Sequence, residues 1–196
     1  MSAYAWDKRD GEAYCAYYGA RWGIRAVAVR LSNPYGPHLA AGHRRYNIAN
    51  WMIGQLCHGK TVSVYGRGEQ LRDYVYIDDA VQALVLATGS EPACGVVFNV
   101  GSGVGTPLID FVRAGILAAG AGSFEFQRWP ETALGVETGD YVANIERVRA
   151  HVGWSPRVSL MEGITRAVAA QRRLAGRVRR VAAIDEVDRE EFEAAA

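Results

Sequence analysis

The chain has 196 residues, of which 49% are hydrophobic and 22% are charged, and its formal net charge is +1. These values are typical of a globular protein with one core, and the near-neutral charge lacks the basic excess that proteins use to bind nucleic acid or anionic membranes. No apolar run approaches the length of a membrane span, and Met1-Ser-Ala does not resemble a signal peptide.

The first predicted element is a proline-free helix from about residue 4 to residue 22, ending before Gly23. Tyr4 and Lys8 are one helical turn apart, so their side chains share a face of this helix. A nearby ammonium group favours phenolate over phenol, which suits a tyrosine to acid–base chemistry. A Tyr-x-x-x-Lys pair is a weak signal by itself, and a chance pair on a surface helix is the alternative.

A run of β-forming residues, 24–31, predicts a parallel central strand. Asn33-Pro34 and Gly36-Pro37 then predict a loop, because proline disfavours helix at the residue before it. Asn47 to His58 is predicted to be helical. Further along, Asp78 and Asp79 are expected to cap a helix that continues through Ala87. The remaining predictions are strands at 62–65, 74–77, 96–100 and 124–126, and helices at 106–119, 144–151 and 160–174.

A glycine-rich turn, Gly101-Ser-Gly103-Val-Gly105, follows one predicted strand and opens a helix. This context suits a dinucleotide fingerprint, but the spacing is Gly-x-Gly-x-Gly rather than Gly-x-Gly-x-x-Gly. We therefore favour a structural turn over a cofactor site here.

Several motifs occur in a fixed order along the chain: Tyr4-x-x-x-Lys8, Asn33-Pro-Tyr-Gly-Pro37, Arg72-Asp-Tyr74, Phe98-Asn-Val-Gly-Ser-Gly103, Gly139-Asp140 and Gly153-Trp-Ser-Pro156. In this order and spacing the chain resembles the extended short-chain dehydrogenase/reductases of the NAD-dependent epimerase/dehydratase family, such as the UDP-glucose 4-epimerases and dTDP-glucose 4,6-dehydratases. The resemblance extends from Tyr4 to about Arg172 and matches the second half of the family pattern. In the family, a Gly-rich NAD-binding half precedes the tyrosine.

The resemblance implies an α/β fold: the carboxyl-terminal part of a Rossmann-type parallel sheet plus a small mixed α/β substrate-binding lobe. Residues 1–45 would form the end of the NAD-binding Rossmann domain. Residues 46–174 would be mainly the substrate-binding lobe with returning Rossmann elements, and residues 175–196 a charged tail. A central strand without its neighbour would expose an open edge and apolar faces.

The resemblance also implies roles for individual residues. Tyr4 would be the acid–base catalyst and Lys8 its partner on the nicotinamide ribose, with NAD as the cofactor and Pro34 and Tyr35 beside the nicotinamide. The substrate would be a nucleotide-diphosphate sugar. Arg72 would bind its diphosphate, because guanidinium groups bind phosphate oxygens in a bidentate manner. The other implied substrate contacts are Asn33, Asn47, Ile48, Ser63, Tyr65 and Asp140.

Two positions depart from the family pattern. Asp7 stands where the family often has serine, and Glu137 stands where sugar-nucleotide epimerases commonly have a phosphate-binding arginine. A carboxylate beside a diphosphate is repulsive unless it turns away or pairs with a base such as Arg128. For Arg72, a surface ion pair with Asp73 remains the alternative to substrate binding.

The function implied is that of an NAD-dependent nucleotide-sugar epimerase, or a dehydratase, inactive without the NAD-binding half. The alternative is a non-catalytic remnant that binds nucleotide sugar or caps a relative's dimer. The implied partners are a second copy or an N-terminal half, bound through the Tyr4 helix. We expect a cytoplasmic protein without a metal, because Cys15, Cys57 and Cys94 and the scattered histidines have no metal-ligand or disulfide spacing.

Overall fold

The computed structural model describes residues 3–37, 47–130 and 139–174. The α-helices in these ranges are α1 (Ala3–Trp22), α2 (Ile48–Cys57), α3 (Ile77–Gly89), α4 (Leu108–Ala119), α5 (Glu146–Val152) and α6 (160–174), and a 3₁₀-helix spans Glu91–Ala93. The strands are β1 (Ala28–Leu31), β2 (Asn33–Tyr35), β3 (Thr61–Tyr65), β4 (Leu71–Tyr76), β5 (Val97–Val100), β6 (Gly105–Pro107) and β7 (Ser123–Gln127). The tail predicted at 175–196 lies outside the described residues.

Parallel strand pairs dominate the sheets. β1 pairs with β5 in parallel, from Ala28 opposite Val97 to Leu31 opposite Val100. β2 pairs with β4, and β3 with β7, also in parallel. β6 adds to β4 in the antiparallel sense. Because parallel pairs need crossover connections, helices separate most of these strands along the chain, and the predicted mixed α/β fold is confirmed.

Strand β4 forms the boundary between two buried clusters. Tyr74 and Tyr76 pack into one cluster, together with residues of α2, α4 and α6. Val75 packs into the other, which contains Phe98 and Trp154. Successive side chains of a strand point to opposite faces, so β4 contributes to both cores at once. Packing on both faces therefore holds β4 in place, including Arg72 and Asp73 at its start.

The structure begins β4 three residues earlier than the sequence predicts. Leu71, Arg72 and Asp73 form a ladder with Gly105–Pro107, a segment whose sequence pattern predicts the start of a helix. A pairing between segments more than thirty residues apart leaves no local pattern, which is why the predicted start of the strand is wrong. As a result, Arg72 and Asp73 lie within the strand.

Asp78 and Asp79 lie in the first turn of α3, at the positive end of its dipole as predicted, but the prediction that they cap the helix is wrong. Tyr76 is the cap residue, and the helix has no side-chain capping hydrogen bond. The buried Asp79 instead accepts hydrogen bonds from the backbone amides of Arg157 and Val158, at 3.0 and 2.9 Å. Its carboxylate therefore anchors the segment before α6.

Helix α1 contributes no buried residue to either core. Its aromatic side chains are among the most exposed large apolar groups in the described ranges: Tyr4, Trp6, Tyr14, Tyr17, Tyr18 and Trp22. A charged contact ties it to the sheet, in which both Arg30 Nε and Nη2 donate to the Glu12 carboxylate at 2.6 Å. None of the described helices is both long and apolar enough to cross a membrane.

Candidate functional site

The candidate site lies at the carboxyl ends of β1 and β5. Ser32 and Asn33 follow β1 directly, and Gly101 and Ser102 follow β5. Because these strands are parallel, the two segments meet at one edge of the sheet. In open α/β sheets, ligands bind outside the carboxyl ends of the strands.

A fully buried carboxylate, Asp73, joins the segments at this edge. Its Oδ1 accepts hydrogen bonds from the backbone amide and hydroxyl of Ser102, at 2.6 and 2.7 Å, and from the Ser32 hydroxyl at 3.4 Å. Its Oδ2 accepts from the amides of Gly103 and Ala143, both at 3.0 Å. Asp73 has 0% of its surface exposed. Because Asp73 is buried, the alternative of an ion pair between Arg72 and Asp73 on the protein surface does not apply.

The glycine-rich turn after β5 is built around that carboxylate. The backbone amides of Ser102 and Gly103 donate to Asp73. A Cβ atom at Gly101 would collide with the Asp73 side chain, and Gly103 has a φ of +73°. Backbone amides at a helix start can bind phosphate, but these two are already engaged by the carboxylate. This geometry is that of a structural turn, the interpretation that the glycine spacing favours.

Arg72 lies at the start of β4 beside the segment that contains Asp140. Its Nη1 donates to the carbonyl oxygens of Gly139, at 2.7 Å, and Leu71, at 2.9 Å. Asp140 Oδ1 accepts from the Leu71 amide at 2.8 Å, and the Tyr141 amide donates to the Leu71 carbonyl. The structure therefore brings these two predicted site residues together. Glu137 lies outside the described residues.

Asn33 joins the same group of residues. Its side-chain amide donates to the backbone carbonyl of Asp73 at 3.0 Å. One of the two amide hydrogens is used in this bond, and a carboxamide nitrogen has a second hydrogen for a ligand. Asn33, Arg72 and Asp140 thus lie on neighbouring segments at the start of β2 and β4.

The amide of Asn47 is used to stabilise the loop before α2. Its Nδ2 donates to the Pro34 carbonyl at 3.1 Å, and its Oδ1 accepts from the Asn50 amide at 2.9 Å, so Asn47 caps α2. Ile48 is partly buried against the larger core. Both residues lie beside the loop after β2, and their predicted contact with the nucleotide stays a prediction.

Tyr35 occupies a different environment from the one its predicted cofactor role would suggest. Only 1% of its surface is exposed, and its ring packs against Tyr74, Tyr76 and Phe111. Its hydroxyl donates to the Leu160 carbonyl at 3.2 Å, and burial raises its pKa far above the usual value for tyrosine. The phenol is a core group in this structure, which leaves its backbone for contact with a cofactor.

Tyr4 and Lys8 share a face of α1, as their spacing predicts. The Lys8 ammonium lies 5.3 Å from the centroid of the Tyr4 ring, and 70% of the Tyr4 surface is exposed. Arg30, in β1, donates to Glu12 in the middle of this helix, so one ion pair ties α1 to β1. The catalytic role predicted for Tyr4 and Lys8 stays a prediction.

Ser63 and Tyr65 lie on β3, in a separate sheet with β7. The Ser63 hydroxyl is 3.5 Å from Glu125 Oε1, and Tyr65 contacts the ring of Trp129. Sequence reasoning missed three residues that organise separate parts of the structure: Trp129 beside β3, Asp73 in β4 and Asn50 in α2. Asn50 is buried and makes two hydrogen bonds to Gly36, from its Nδ2 to the carbonyl and to its Oδ1 from the amide. The sequence feature that could have identified Asn50 is a polar asparagine at a position of α2 where the helix is otherwise apolar.

Comparisons with known proteins agree with this geometry. The sequence profile of the NAD dependent epimerase/dehydratase family matches residues 1–101. The UDP-glucose 4-epimerase of Mycolicibacterium smegmatis is 32% identical over 167 residues, which are 85% of this chain and 52% of the relative.

Solved structures show the same likeness. The UDP-glucose 4-epimerase of Thermus thermophilus, solved in complex with NAD, is 30% identical with a TM-score of 0.72, covering 82% of this chain and 51% of that one. The Thermotoga maritima UDP-glucose 4-epimerase, solved with UDP-glucose, is 26% identical with a TM-score of 0.78, covering 89% of this chain and 55% of that one.

The parallel sheets and the residues at their carboxyl edge define a Rossmann-like α/β protein. The chain belongs to the NAD-dependent epimerase/dehydratase family. It spans about half the length of the relatives that it matches.

Proposed function

We propose that this chain is the substrate-binding part of an NAD-dependent nucleotide-sugar epimerase or dehydratase, with a 4-epimerase preferred because no feature demands elimination chemistry. One observation carries the proposal. Asn33, Arg72 and Asp140 lie on adjoining segments near the carboxyl edge of the β1–β5 pair, linked by the Asp73 backbone and by the bonds to Leu71 and Gly139. A cation, an amide donor and a carboxylate at such an edge suit the diphosphate and hydroxyls of a nucleotide sugar.

The substrate would extend across the two lobes. Arg72 would bind diphosphate oxygens, with Asn33 donating its second amide hydrogen, and Asp140 would accept from a sugar or ribose hydroxyl. The base would lie toward Ser63 and Tyr65, and the loop held by Asn47, with Ile48, would flank the nucleotide. These assignments divide the chain into an end of the Rossmann domain, at 1–45, and a substrate lobe, at 46–174.

Tyr4 would hold and move the proton in the reaction. Its phenolate form would take a proton from a sugar hydroxyl and become the neutral phenol, and the Lys8 ammonium beside its ring would stabilise that phenolate beforehand. Bound NAD would supply the hydride acceptor. The exposed Tyr4–Lys8 face fits the nicotinamide ribose, whereas the Gly101–Gly105 turn does not fit the pyrophosphate because Asp73 already binds its amides. We therefore expect turnover to require a companion segment that holds the pyrophosphate.

Helix α1 favours a second candidate function. None of its residues is buried, and six of its aromatic side chains are exposed. Exposed apolar patches of this kind often mark protein interfaces. The alternative is thus a non-catalytic protein that binds nucleotide sugar, or caps a relative, and associates through the Tyr4 helix with a second copy or an N-terminal half.

Calorimetric titration of the chain with UDP-glucose tests the binding proposal. We expect binding that the Arg72→Ala variant weakens by about tenfold or more, because a charged hydrogen bond to phosphate is lost. Arg113→Ala is the matched control, since Arg113 lies on α4 and pairs with Asp110. Equal affinity in the wild-type and Arg72→Ala proteins would remove Arg72 from the site.

Turnover separates the two candidates. The chain would be mixed with the amino-terminal half of a related epimerase and NAD, and UDP-glucose conversion followed. Turnover that requires both halves supports the enzyme. Binding of UDP-glucose without turnover, together with formation of a stable dimer, supports the non-catalytic protein.

A further inference from the structure

Within the described residues, strand β2 lies at one edge of the sheet β2–β4–β6. One side of β2 pairs in parallel with β4, from Asn33 opposite Tyr74 to Tyr35 opposite Tyr76. Backbone groups on the other side of an edge strand have no strand partner, yet buried backbone groups need hydrogen bonds. Side chains at the start of α2 supply those bonds.

Two asparagines of α2 bind the second side of β2 and the residue that follows it. Asn47 Nδ2 donates to the Pro34 carbonyl at 3.1 Å. Asn50 makes two hydrogen bonds with Gly36: its Nδ2 donates to the Gly36 carbonyl at 2.9 Å, and its Oδ1 accepts from the Gly36 amide at 3.0 Å. The asparagines therefore take the place that a neighbouring strand would have.

The residue type at position 50 matches this task. Asn50 is 1% exposed, and it is buried next to the apolar residues Ala49, Met52 and Ile53. A buried polar side chain is costly unless its hydrogen bonds are satisfied. A carboxamide carries both a donor and an acceptor, which is what the carbonyl and the amide of one backbone residue require. An ionised carboxylate would present a second acceptor to the Gly36 carbonyl, and an apolar side chain would leave both backbone groups unpaired.

Gly36 is also confined by α3. Its φ is +147°, and a Cβ atom there would lie 2.5 Å from Ile77 Cγ2, so the Gly36 backbone lies directly against the start of that helix. Bound by Asn50 and packed on Ile77, the end of β2 is fixed relative to β4. Asn33 is at the other end of this short strand, where its side-chain amide donates to the Asp73 carbonyl at 3.0 Å.

We propose that Asn47 and Asn50 are positioning residues, which hold β2 so that Asn33 presents its second amide hydrogen to the substrate diphosphate. This inference rests on the proposed function, which assigns Asn33 to the diphosphate. The side chain of Asn47 is used to hold Pro34, so any contact of Asn47 with the nucleotide would be through its backbone. Because both asparagines act through Asn33, losing either one should weaken binding no more than losing Asn33 itself.

Calorimetric titration of the 196-residue chain with UDP-glucose provides the test. Asn50→Ala should weaken binding about 3- to 10-fold, the equivalent of one ordinary hydrogen bond. In a protein that already carries Asn33→Ala, adding Asn50→Ala should cause no further loss, because effects that share one contact are not additive. His58→Ala is the matched control and should leave the affinity unchanged. His58 Nδ1 lies 2.7 Å from the Gly54 carbonyl, so this change removes a side chain–backbone contact at the far end of the same helix.

Asn47→Ser tests the same strand edge, and it decides the question if the Asn50→Ala protein does not fold. Serine is as good an N-cap as asparagine, so α2 keeps its cap, but the shorter side chain does not reach the Pro34 carbonyl. Its effect on affinity should also disappear in the Asn33→Ala background. Hydrogen exchange gives a second readout that needs no ligand: the Gly36 amide should exchange faster in Asn50→Ala than in wild type or His58→Ala.

The outcomes separate this inference from the proposed function. If Arg72→Ala weakens UDP-glucose binding but both asparagine variants bind as wild type does, the positioning role falls and the diphosphate site stands. If Asn50→Ala causes the same fold-loss with and without Asn33, it acts by another route and the inference also falls. Unchanged exchange of the Gly36 amide in Asn50→Ala would overturn it as well. A wild-type protein that does not bind UDP-glucose would overturn both proposals.

Discussion

The carboxylate of Asp73 accepts a hydrogen bond from the backbone amide of Ser102 at 2.6 Å, across the boundary between two sheets. The same side chain binds the amides of Gly103 and Ala143. One buried group thus fixes the turn after β5 and the segment that follows Asp140 relative to β4. The position of Arg72, one residue earlier on the strand, depends on this arrangement.

Replacement of Asp73 should strongly destabilise the fold. Asp73→Ala leaves three backbone amides without their acceptor, and each buried unsatisfied donor costs about 1–3 kcal/mol. Asp73→Asn would present an amide donor to groups that are themselves donors. We expect the free energy of unfolding in urea to fall by roughly 3 kcal/mol or more for either variant.

The matched control for Asp73 is Asp110→Asn, because Asp110 is an exposed residue that pairs with Arg113. This change should alter the free energy of unfolding by no more than about 0.5 kcal/mol. A loss below about 1 kcal/mol for Asp73→Ala would show that water or other groups satisfy the amides.

Two glycines should respond to alanine in opposite directions. Gly36 has a φ of +147°, and a Cβ atom there would lie 2.5 Å from Ile77 Cγ2, so Gly36→Ala should cost about 1–3 kcal/mol of stability. Gly11 lies within α1, where a Cβ atom would extend into open space, so Gly11→Ala should stabilise the helix by about 1 kcal/mol. Thermal unfolding and far-ultraviolet circular dichroism measure the two effects. A Gly36→Ala protein as stable as wild type would show that the loop after β2 adapts.

The sequence predicted the helices and parallel strands whose patterns are local. The Tyr4–Lys8 face, the start of α2 at Asn47 and the structural nature of the Gly101–Gly105 turn all follow from spacing and residue type. The partners of Asp73 and Asp79 could not be predicted in this way. Both carboxylates bind backbone amides that are distant in sequence, and only the packed fold brings those amides together. Tyr35 likewise belongs to the core because Phe111 and Tyr76 pack around it.

The Glu12–Arg30 pair should make a small, pH-dependent contribution to stability. The hydrogen bond from Arg30, and to a lesser degree its charge, lowers the pKa of Glu12 below its usual value of 4.5. A carboxyl whose pKa is lowered on folding stabilises the protein above its unfolded pKa, and this contribution is lost as the pH falls through the folded pKa. Because Arg30 is more than half exposed, we expect less than about 1 kcal/mol.

Urea unfolding of wild type and Glu12→Gln checks this expectation at about pH 7 and about pH 3. The two proteins should differ near neutral pH and converge in acid. Glu91→Gln is the control, because Glu91 makes a more exposed pair with Arg25 at 3.4 Å. A Glu12→Gln difference that persists unchanged in acid would assign the contact to packing rather than to charge.

Tyr4→Phe should abolish the chemistry without affecting binding, if the chain takes part in catalysis. Removing one hydroxyl from an exposed helix costs little stability, but it removes the group that would accept the proton, and such groups contribute about 10²–10⁴-fold in rate. The measurement is turnover of UDP-glucose by the chain completed with a related amino-terminal half, with NAD and UDP-glucose affinities measured in parallel. Tyr14→Phe is the matched control, since Tyr14 is another exposed tyrosine of α1. Turnover by Tyr4→Phe within a few fold of Tyr14→Phe would exclude Tyr4 as the acid–base catalyst, whereas loss of turnover with unchanged affinities would assign it that role.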